Sequence, residues 1–154
     1  MFLVLTVRRK TFCKDKHIAD LLLFPFETSF HEDPNYICGK LILQDKASCF
    51  PAVILDPPCG EDAVVIDATA APGNKTSHLS ALMHNTGKVL MDARTNDAVL
   101  LTCSKLYAFE RNKKRYTTLK HMLDTAGCRN VEALNFDFLA VDPKDPRFCT
   151  ATHM

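Results

Sequence analysis

Residues 67–76 read Asp67-Ala-Thr-Ala-Ala-Pro-Gly-Asn-Lys-Thr76, and this stretch decides the fold. It follows the apolar, β-branched run Ala63-Val-Val-Ile66 and leads into Ser77-His-Leu-Ser-Ala-Leu-Met83, which reads as a helix. A strand ending in an acid, a tight loop of small residues and a helix N-terminus together make a ligand-binding arrangement. Small side chains let a ligand approach the backbone, and Gly73 permits a turn that a Cβ would obstruct. The first N–H groups of the helix are then able to receive a carboxylate or another anion.

Two common nucleotide loops do not fit. A Walker A loop needs Gly-Lys-Ser/Thr with a second glycine five residues upstream, but Asn74 separates Gly73 from Lys75 and no glycine stands at that distance. The dinucleotide fingerprint needs three glycines, and this loop has one.

Outward from the loop the pattern is βαβαβ. Strands are expected at Ala63–Ala68, ending at Leu106–Phe109, and at Val131–Leu134. Helices are expected at about Lys75–His84 and from about Asn112 to Thr125, the second stopped by Gly127. Near-continuous apolar strands alternating with helices imply an α/β fold with a parallel sheet covered on both faces, half of a doubly wound, Rossmann-like sheet. Upstream, Leu21–Pro25 reads as a short strand stopped by proline and Lys40–Leu43 as another. Asp45 is placed to cap a helix through Phe50 that continues to Leu55 despite Pro51, and Asp56-Pro-Pro-Cys-Gly60 is a turn-rich break.

The loop resembles motif I of the RsmB/Nop/Sun family of S-adenosylmethionine-dependent RNA cytosine-5 methyltransferases. That motif runs Asp-x-Cys-Ala-Ala-Pro-Gly-x-Lys-Thr and is matched at every position but one, where Thr69 replaces the usual Cys. The similarity extends back through Asp33-Pro34, Gly39–Leu43 and Gln44–Ser48, and onward through Leu106–Glu110 to Asp142-Pro143. It looks most like the eukaryotic ribosomal-RNA branch. It covers roughly residues 19–148, with a divergent leader over 1–18, a lead-in over 19–62, the Rossmann-like class I methyltransferase half over 63–148 and an unmatched tail over 149–154. About sixteen residues, Leu90–Lys105, stand where the family goes almost directly into its second strand; within them Val99–Thr102 is strand-like.

The resemblance implies S-adenosylmethionine as cofactor and RNA, of ribosomal type, as substrate. The loop Thr69, Ala70, Ala71, Pro72, Gly73, Asn74 and Lys75 is then expected to hold the amino-acid end and sugar of the donor through backbone groups. Lys75 either meets the donor carboxylate or is an exposed first-turn lysine. Glu110, where the family more often has Asp, is expected to accept the ribose hydroxyls. Asp137 matches the acid that contacts the adenine amino group, with helix capping as the competing role. Asp67 is expected to brace the loop. The basic run Arg111-Asn-Lys-Lys-Arg115 opens the second helix against its macrodipole, at a cost of ~0.3–1 kcal/mol per exposed cation, and reads as a solvated face or an RNA-phosphate contact.

Methylating carbon 5 of cytosine needs a thiolate that adds at carbon 6 and a second group that helps remove the carbon-5 proton. The family supplies these from Asp-x-Pro-Cys-Ser-Gly after its fourth strand and Thr-Cys-Ser after its fifth. Both would lie beyond Met154, so no catalytic residue is assigned. The expectation is a domain truncated after the third core strand, with strand one an open apolar edge. Such a partial or inactive product would have weak or no donor affinity and no turnover; the alternative is a non-catalytic S-adenosylmethionine- or RNA-binding fragment. Cys59 in Asp56-Pro-Pro-Cys59-Gly60 and Cys103 in Thr102-Cys103-Ser104 imitate the two motifs but stand before the first strand and inside the insertion.

Bulk composition agrees. A chain of 154 residues suffices for one domain with a real core, and 47% hydrophobic with 24% charged residues excludes a disordered chain. A net charge of +1 gives the whole molecule no strong bias towards nucleic acid. Seven cysteines without a C-x-x-C pair argue against zinc and a disulfide framework and read as reduced thiols, those other than Cys59 and Cys103 as small buried hydrophobes. No metal constellation is expected among six scattered histidines, of which His78 and His84 are placed on a helix surface. Phe2–Val7 is too short for a signal sequence, and nothing approaches the ~20 apolar residues of a membrane span. An intracellular location is expected, nuclear or nucleolar by resemblance alone.

Overall fold

The computed structural model describes residues 12–58, 63–85, 104–148, 151 and 154. The leader through residue 11, Cys59, the strand-like stretch 99–102 and Cys103 lie outside the described residues.

Two strands, β1 (Cys13–Lys14) and β2 (Leu22–Leu23), pair antiparallel, with Cys13 opposite Leu23. A single helical turn, α1 (Pro34–Ile37), follows, with Asp33 accepting from Asn35 N at 3.0 Å. Proline at the first helical position suits such a start, since its missing N–H would go unused there. Next comes α2 (Lys46–Leu55), which runs through Pro51 as expected. Asp45 occupies the cap position but its side chain makes no capping bond.

The central unit alternates β3 (Val64–Asp67), α3 (Asn74–Leu82), β4 (Lys105–Phe109), α4 (Lys113–Thr125) and β5 (Val131–Leu134). Its strands form a parallel sheet in the order β3-β4-β5, with Ile66 opposite Tyr107 and Tyr107 opposite Glu132. The strand opened by Lys105 ends at Phe109, where the second strand was expected to end. This is a partial Rossmann-like sheet.

The alternation along each strand sorts the core into two faces. On one face Val65 and Leu106 pack with Leu79 and Met83 of α3 and with Ala52 of α2. Ala108 packs there with Leu119 and Leu123 of α4. Both crossovers advance the chain in the same direction across the sheet, so their helices belong on one side. The opposite face, Val64, Ile66, Tyr107 and Phe109, is covered by the segment after β5. Phe148 meets Tyr107 edge-on at 4.9 Å between ring centroids and Phe109 at 5.4 Å, and Phe138 meets Phe109 at 5.3 Å. Among the described residues β3 has β4 as its one sheet neighbour, yet Val64, Val65 and Ile66 are buried.

Three expectations are corrected. Lys40–Leu43 is not a strand: Gly39, at φ +72°, turns the chain out of α1, and Leu41 N bonds back to Asn35 O at 3.0 Å. His78 is buried, only 5% exposed, and lines a cavity shared with Ile18, Asp20, Leu22, Phe24 and Cys49; His84 does lie on the surface. Cys13 and Cys38 are exposed, so the reading of the cysteines as buried hydrophobes fits Cys49 but not these two.

The first segment is tied to α2 by charge. Lys46 Nζ lies 2.6 Å from Asp15 Oδ2, while Asp15 Oδ1 accepts from His17 N at 2.8 Å and Ile18 N at 3.0 Å. The Lys46 ammonium holds the Asp15 carboxyl well below its ordinary 3.8, at about 2. A group depressed on folding stabilises above its unfolded value and loses that contribution as pH falls towards the folded one. Asp15→Asn is therefore expected to destabilise by a constant amount above pH 3.8, with the difference from the parent vanishing towards pH 2. Urea titrations of both proteins across that window measure it; a difference that grows on acidification would contradict the pairing.

Candidate functional site

The C-terminal ends of β3, β4 and β5 point to one edge of the sheet, where open α/β sheets bind their ligands. Three loops meet there, and each carries one of the expected residues: Thr69 after β3, Glu110 after β4 and Asp137 after β5 line a single cleft.

The first loop is braced from within. Asp67 Oδ1 accepts from Thr69 N at 3.2 Å, and its Oδ2 accepts from the wholly buried Thr76 hydroxyl at 2.8 Å. Asp67 thus has the bracing geometry expected of it. Ala70 N donates to Phe109 O at 3.0 Å, and the Ala70 and Ala71 side chains sink into the core beside Ala108 and Leu119. The backbone groups of 69–71 are therefore largely engaged within the protein. Gly73, at φ +118°, starts α3 with no side chain capping its first-turn N–H groups. A Cβ at Gly73 would come within 3.1 Å of Met122 and 3.2 Å of Leu119, so glycine also lets α3 start hard against α4.

Thr76→Val keeps the shape but removes the hydroxyl donated to an ionised carboxylate. It is expected to cost about 2 kcal/mol, within the range for a hydrogen bond to a charged group. Thermal unfolding reads it; an unchanged midpoint would mean that Asp67 does not depend on Thr76.

Glu110 is 6% exposed. Its Oε1 accepts from Asn112 N at 2.8 Å, and its Oε2 lies 3.5 Å from Arg115 Nε. A carboxylate has about four lone-pair sites. These two contacts leave capacity on both oxygens for hydroxyls in the cleft. Asp137 does cap the 3-10 turn Phe138–Ala140, accepting from Leu139 N at 3.0 Å, while its Oδ2 faces Arg111 at 3.5 Å. The capping role and the cleft-facing position therefore coexist.

Sequence reasoning missed two parts of this edge. Arg115, read as part of a solvated run, reaches back to donate from Nη2 to Ala71 O at 2.7 Å, bridging the first loop to Glu110. Phe136 and Leu139 expose large apolar surfaces at the cleft, 49% and 89%, where flat apolar walls suit an aromatic base. The spacing Glu110-x4-Arg115 was the available signal for the first; nothing in the sequence marked the second.

The remaining loop residues face elsewhere. Pro72, Asn74 and Lys75 line a neighbouring depression with Leu43, Lys46 and Phe26. Asn74 Nδ2 donates to Leu43 O at 2.9 Å, which ties the loop to the lead-in, and Lys75 is exposed. The structure thus brings together Thr69, Glu110 and Asp137, but not these three with Pro72, Asn74 and Lys75.

None of the four described cysteines lines the Glu110 cleft. Burial pushes the thiols of Cys49 and Cys128 up, away from the thiolate form a nucleophile needs. No cluster of three or more metal-ligating side chains occurs among the described residues, and no described helix is long and apolar enough to cross a membrane.

Two family models match the chain: the ferredoxin-like domain of NOL1/NOP2/Sun domain family member 5 over residues 3–44, and the 16S rRNA methyltransferase RsmB/F over residues 52–102. The 28S rRNA (cytosine-C(5))-methyltransferase of Mus musculus is 42% identical over 137 residues, spanning 89% of this chain and 25% of that one. A methyltransferase homolog from Pyrococcus horikoshii superposes with a TM-score of 0.66 at 27% identity, covering 85% of this chain and 37% of the other. NSun6 from the same organism, solved with SFG, gives a TM-score of 0.57 at 25% identity, covering 71% and 24%. The chain spans about a quarter of the length of the mouse relative.

Proposed function

We propose, from the premise that this chain belongs to the RsmB/F and NSUN5-type family of rRNA cytosine-C5 methyltransferases, that residues 63–148 form the methyl-donor side of such an enzyme's active site. The substrate is a cytosine of ribosomal RNA and the donor S-adenosylmethionine. An rRNA substrate places the work in the compartment where ribosomal RNA is made and assembled, the nucleus or nucleolus of a eukaryote.

The observation that carries this reading is the convergence of Thr69, Glu110 and Asp137, from three separate loops, on one cleft at the C-terminal edge of the sheet. The residues present suit the donor. Glu110 has lone pairs for the ribose hydroxyls, and Asp137 accepts from the adenine amino group. Phe136 and Leu139 supply apolar walls for the adenine ring. The uncapped start of α3 is the helix terminus available to the carboxylate, while Lys75, which lines the neighbouring depression, stays outside the cleft. The donor, when bound, supplies an electrophilic methyl on a sulfonium. The task of the described residues is to bind and orient it, with Arg115 fixing the loop against Glu110. SFG, an analogue of the donor, accompanies the related NSun6 structure, which supports the assignment.

A second reading, a donor- or RNA-binding module without turnover, is favoured by the absence of a cysteine in the cleft among the described residues. Two experiments on the full chain separate these. Calorimetry with S-adenosylhomocysteine tests the cleft: binding weakened by Glu110→Gln supports it, and binding indifferent to that change overturns it. A transfer assay with labelled donor on ribosomal RNA tests turnover. Label incorporation that disappears in Cys59→Ala or Cys103→Ala would make one of those residues the nucleophile, in place of the imitation read from sequence.

A further inference from the structure

We infer that Asn135 is a positioning residue that sets the spacing between the two acids of the cleft, an inference that rests on the donor-site reading above. The ladder between β4 and β5 closes with Glu110 N donating to Leu134 O at 3.0 Å. Beyond that bond, main-chain pairing no longer holds the two loops together. Asn135 continues it with a side chain: Nδ2 donates to Glu110 O at 2.7 Å and to Arg111 O at 3.2 Å. Both partners are carbonyl oxygens, so only the NH2 end of the amide satisfies them, and its two hydrogens suffice for both. Arg111 is then held at its backbone by Asn135 and at its guanidinium by Asp137, at 3.5 Å. A closed ring of contacts thus joins 110–111 to 135–137. The acid proposed for the ribose and the acid proposed for the adenine sit on opposite sides of it.

Asn135 itself does not line the cleft. Its effect must pass through Glu110 and Asp137, and that distinguishes a positioning role from direct contact. Asn135→Ala removes both donors. Asn135→Asp keeps the size but turns a carboxylate towards two carbonyl oxygens.

The test uses the full chain and S-adenosylhomocysteine in calorimetry. Asn135→Ala is expected to weaken binding roughly tenfold, the scale of one to two neutral hydrogen bonds, and Asn135→Asp at least as much. In a Glu110→Gln background the further loss from Asn135→Ala is expected to shrink well below tenfold, because contacts that act through one another are not additive. Unchanged affinity in Asn135→Ala, or losses that simply multiply, would overturn the inference. Amide exchange without ligand gives an independent arm. Faster exchange confined to 110–112 and 135–139 supports the ring of contacts. Unchanged exchange there, or a rise throughout β4, defeats it. Should the parent chain bind no donor analogue, the cleft reading fails, and the exchange arm alone decides for Asn135.

Discussion

Gly39→Ala is expected to destabilise the fold by about 3–4 kcal/mol, the sum of a left-handed backbone penalty and an overpacked contact. A Cβ at this position would stand 2.2 Å from Thr125 O, 2.6 Å from Thr125 C and 2.9 Å from Ala126 N. All three are backbone atoms at the C-terminal end of α4, so no flexible side chain is available to swing aside. The residue also sits at φ +72°, a conformation that costs any L side chain. Gly127 provides the matched control: its φ is +67°, but a Cβ there would meet nothing within 4 Å. Gly127→Ala should therefore cost only the backbone share, about 1 kcal/mol. Urea denaturation of the two variants separates the effects. Equal midpoints would show that the turn after α1 moves freely relative to α4.

The second large effect is on ligand binding. Glu110→Ala is expected to lower donor affinity about a hundredfold, the loss of about 3 kcal/mol from two charge-assisted hydrogen bonds to ribose. Glu110→Gln, which keeps an acceptor but no charge, should lose less. Folding stability should respond weakly to the lost Arg115 pairing, since that guanidinium is 60% exposed and its other bond, to Ala71 O, remains. A donor analogue lacking the ribose hydroxyls makes the check: parent and variant should bind it alike. A variant that loses affinity for both ligands equally would place Glu110's influence somewhere other than the sugar.

The features legible in the sequence were those encoded locally. Val131–Leu134 and the helix from Asn112 to Thr125 lie where apolar period, cap residue and stop glycine put them. Motif I, with Asp67 as its internal brace, followed from ten consecutive residues. Lys40–Leu43 misled because an apolar run does not by itself supply the partner a strand needs at its edge, and after the turn at Gly39 none pairs with it among the described residues. His78 misled for the converse reason. It carries a polar ring on a helix face that shares a cavity with residues of 18–24, more than fifty positions upstream. The contacts that organise the cleft were the least visible. Arg115 meets Ala71 across 44 residues and Asn135 meets Glu110 across 25, so neither leaves a periodic trace. The charged run 111–115 was read as one surface, yet two of its four cations turn to acids at the cleft.

Glu110 is also the first residue beyond β4, whose Leu106, Tyr107, Ala108 and Phe109 are each at most 2% exposed. Covered by helices on one face and by Phe138 and Phe148 on the other, that strand fixes the backbone of the acid before any ligand arrives. The conformational entropy of that part of the site was given up when the chain folded. A nucleoside entering the cleft therefore meets a preorganised acceptor, and the ordering cost of binding falls on the ligand and on the exposed Phe136 and Leu139 rather than on the sheet.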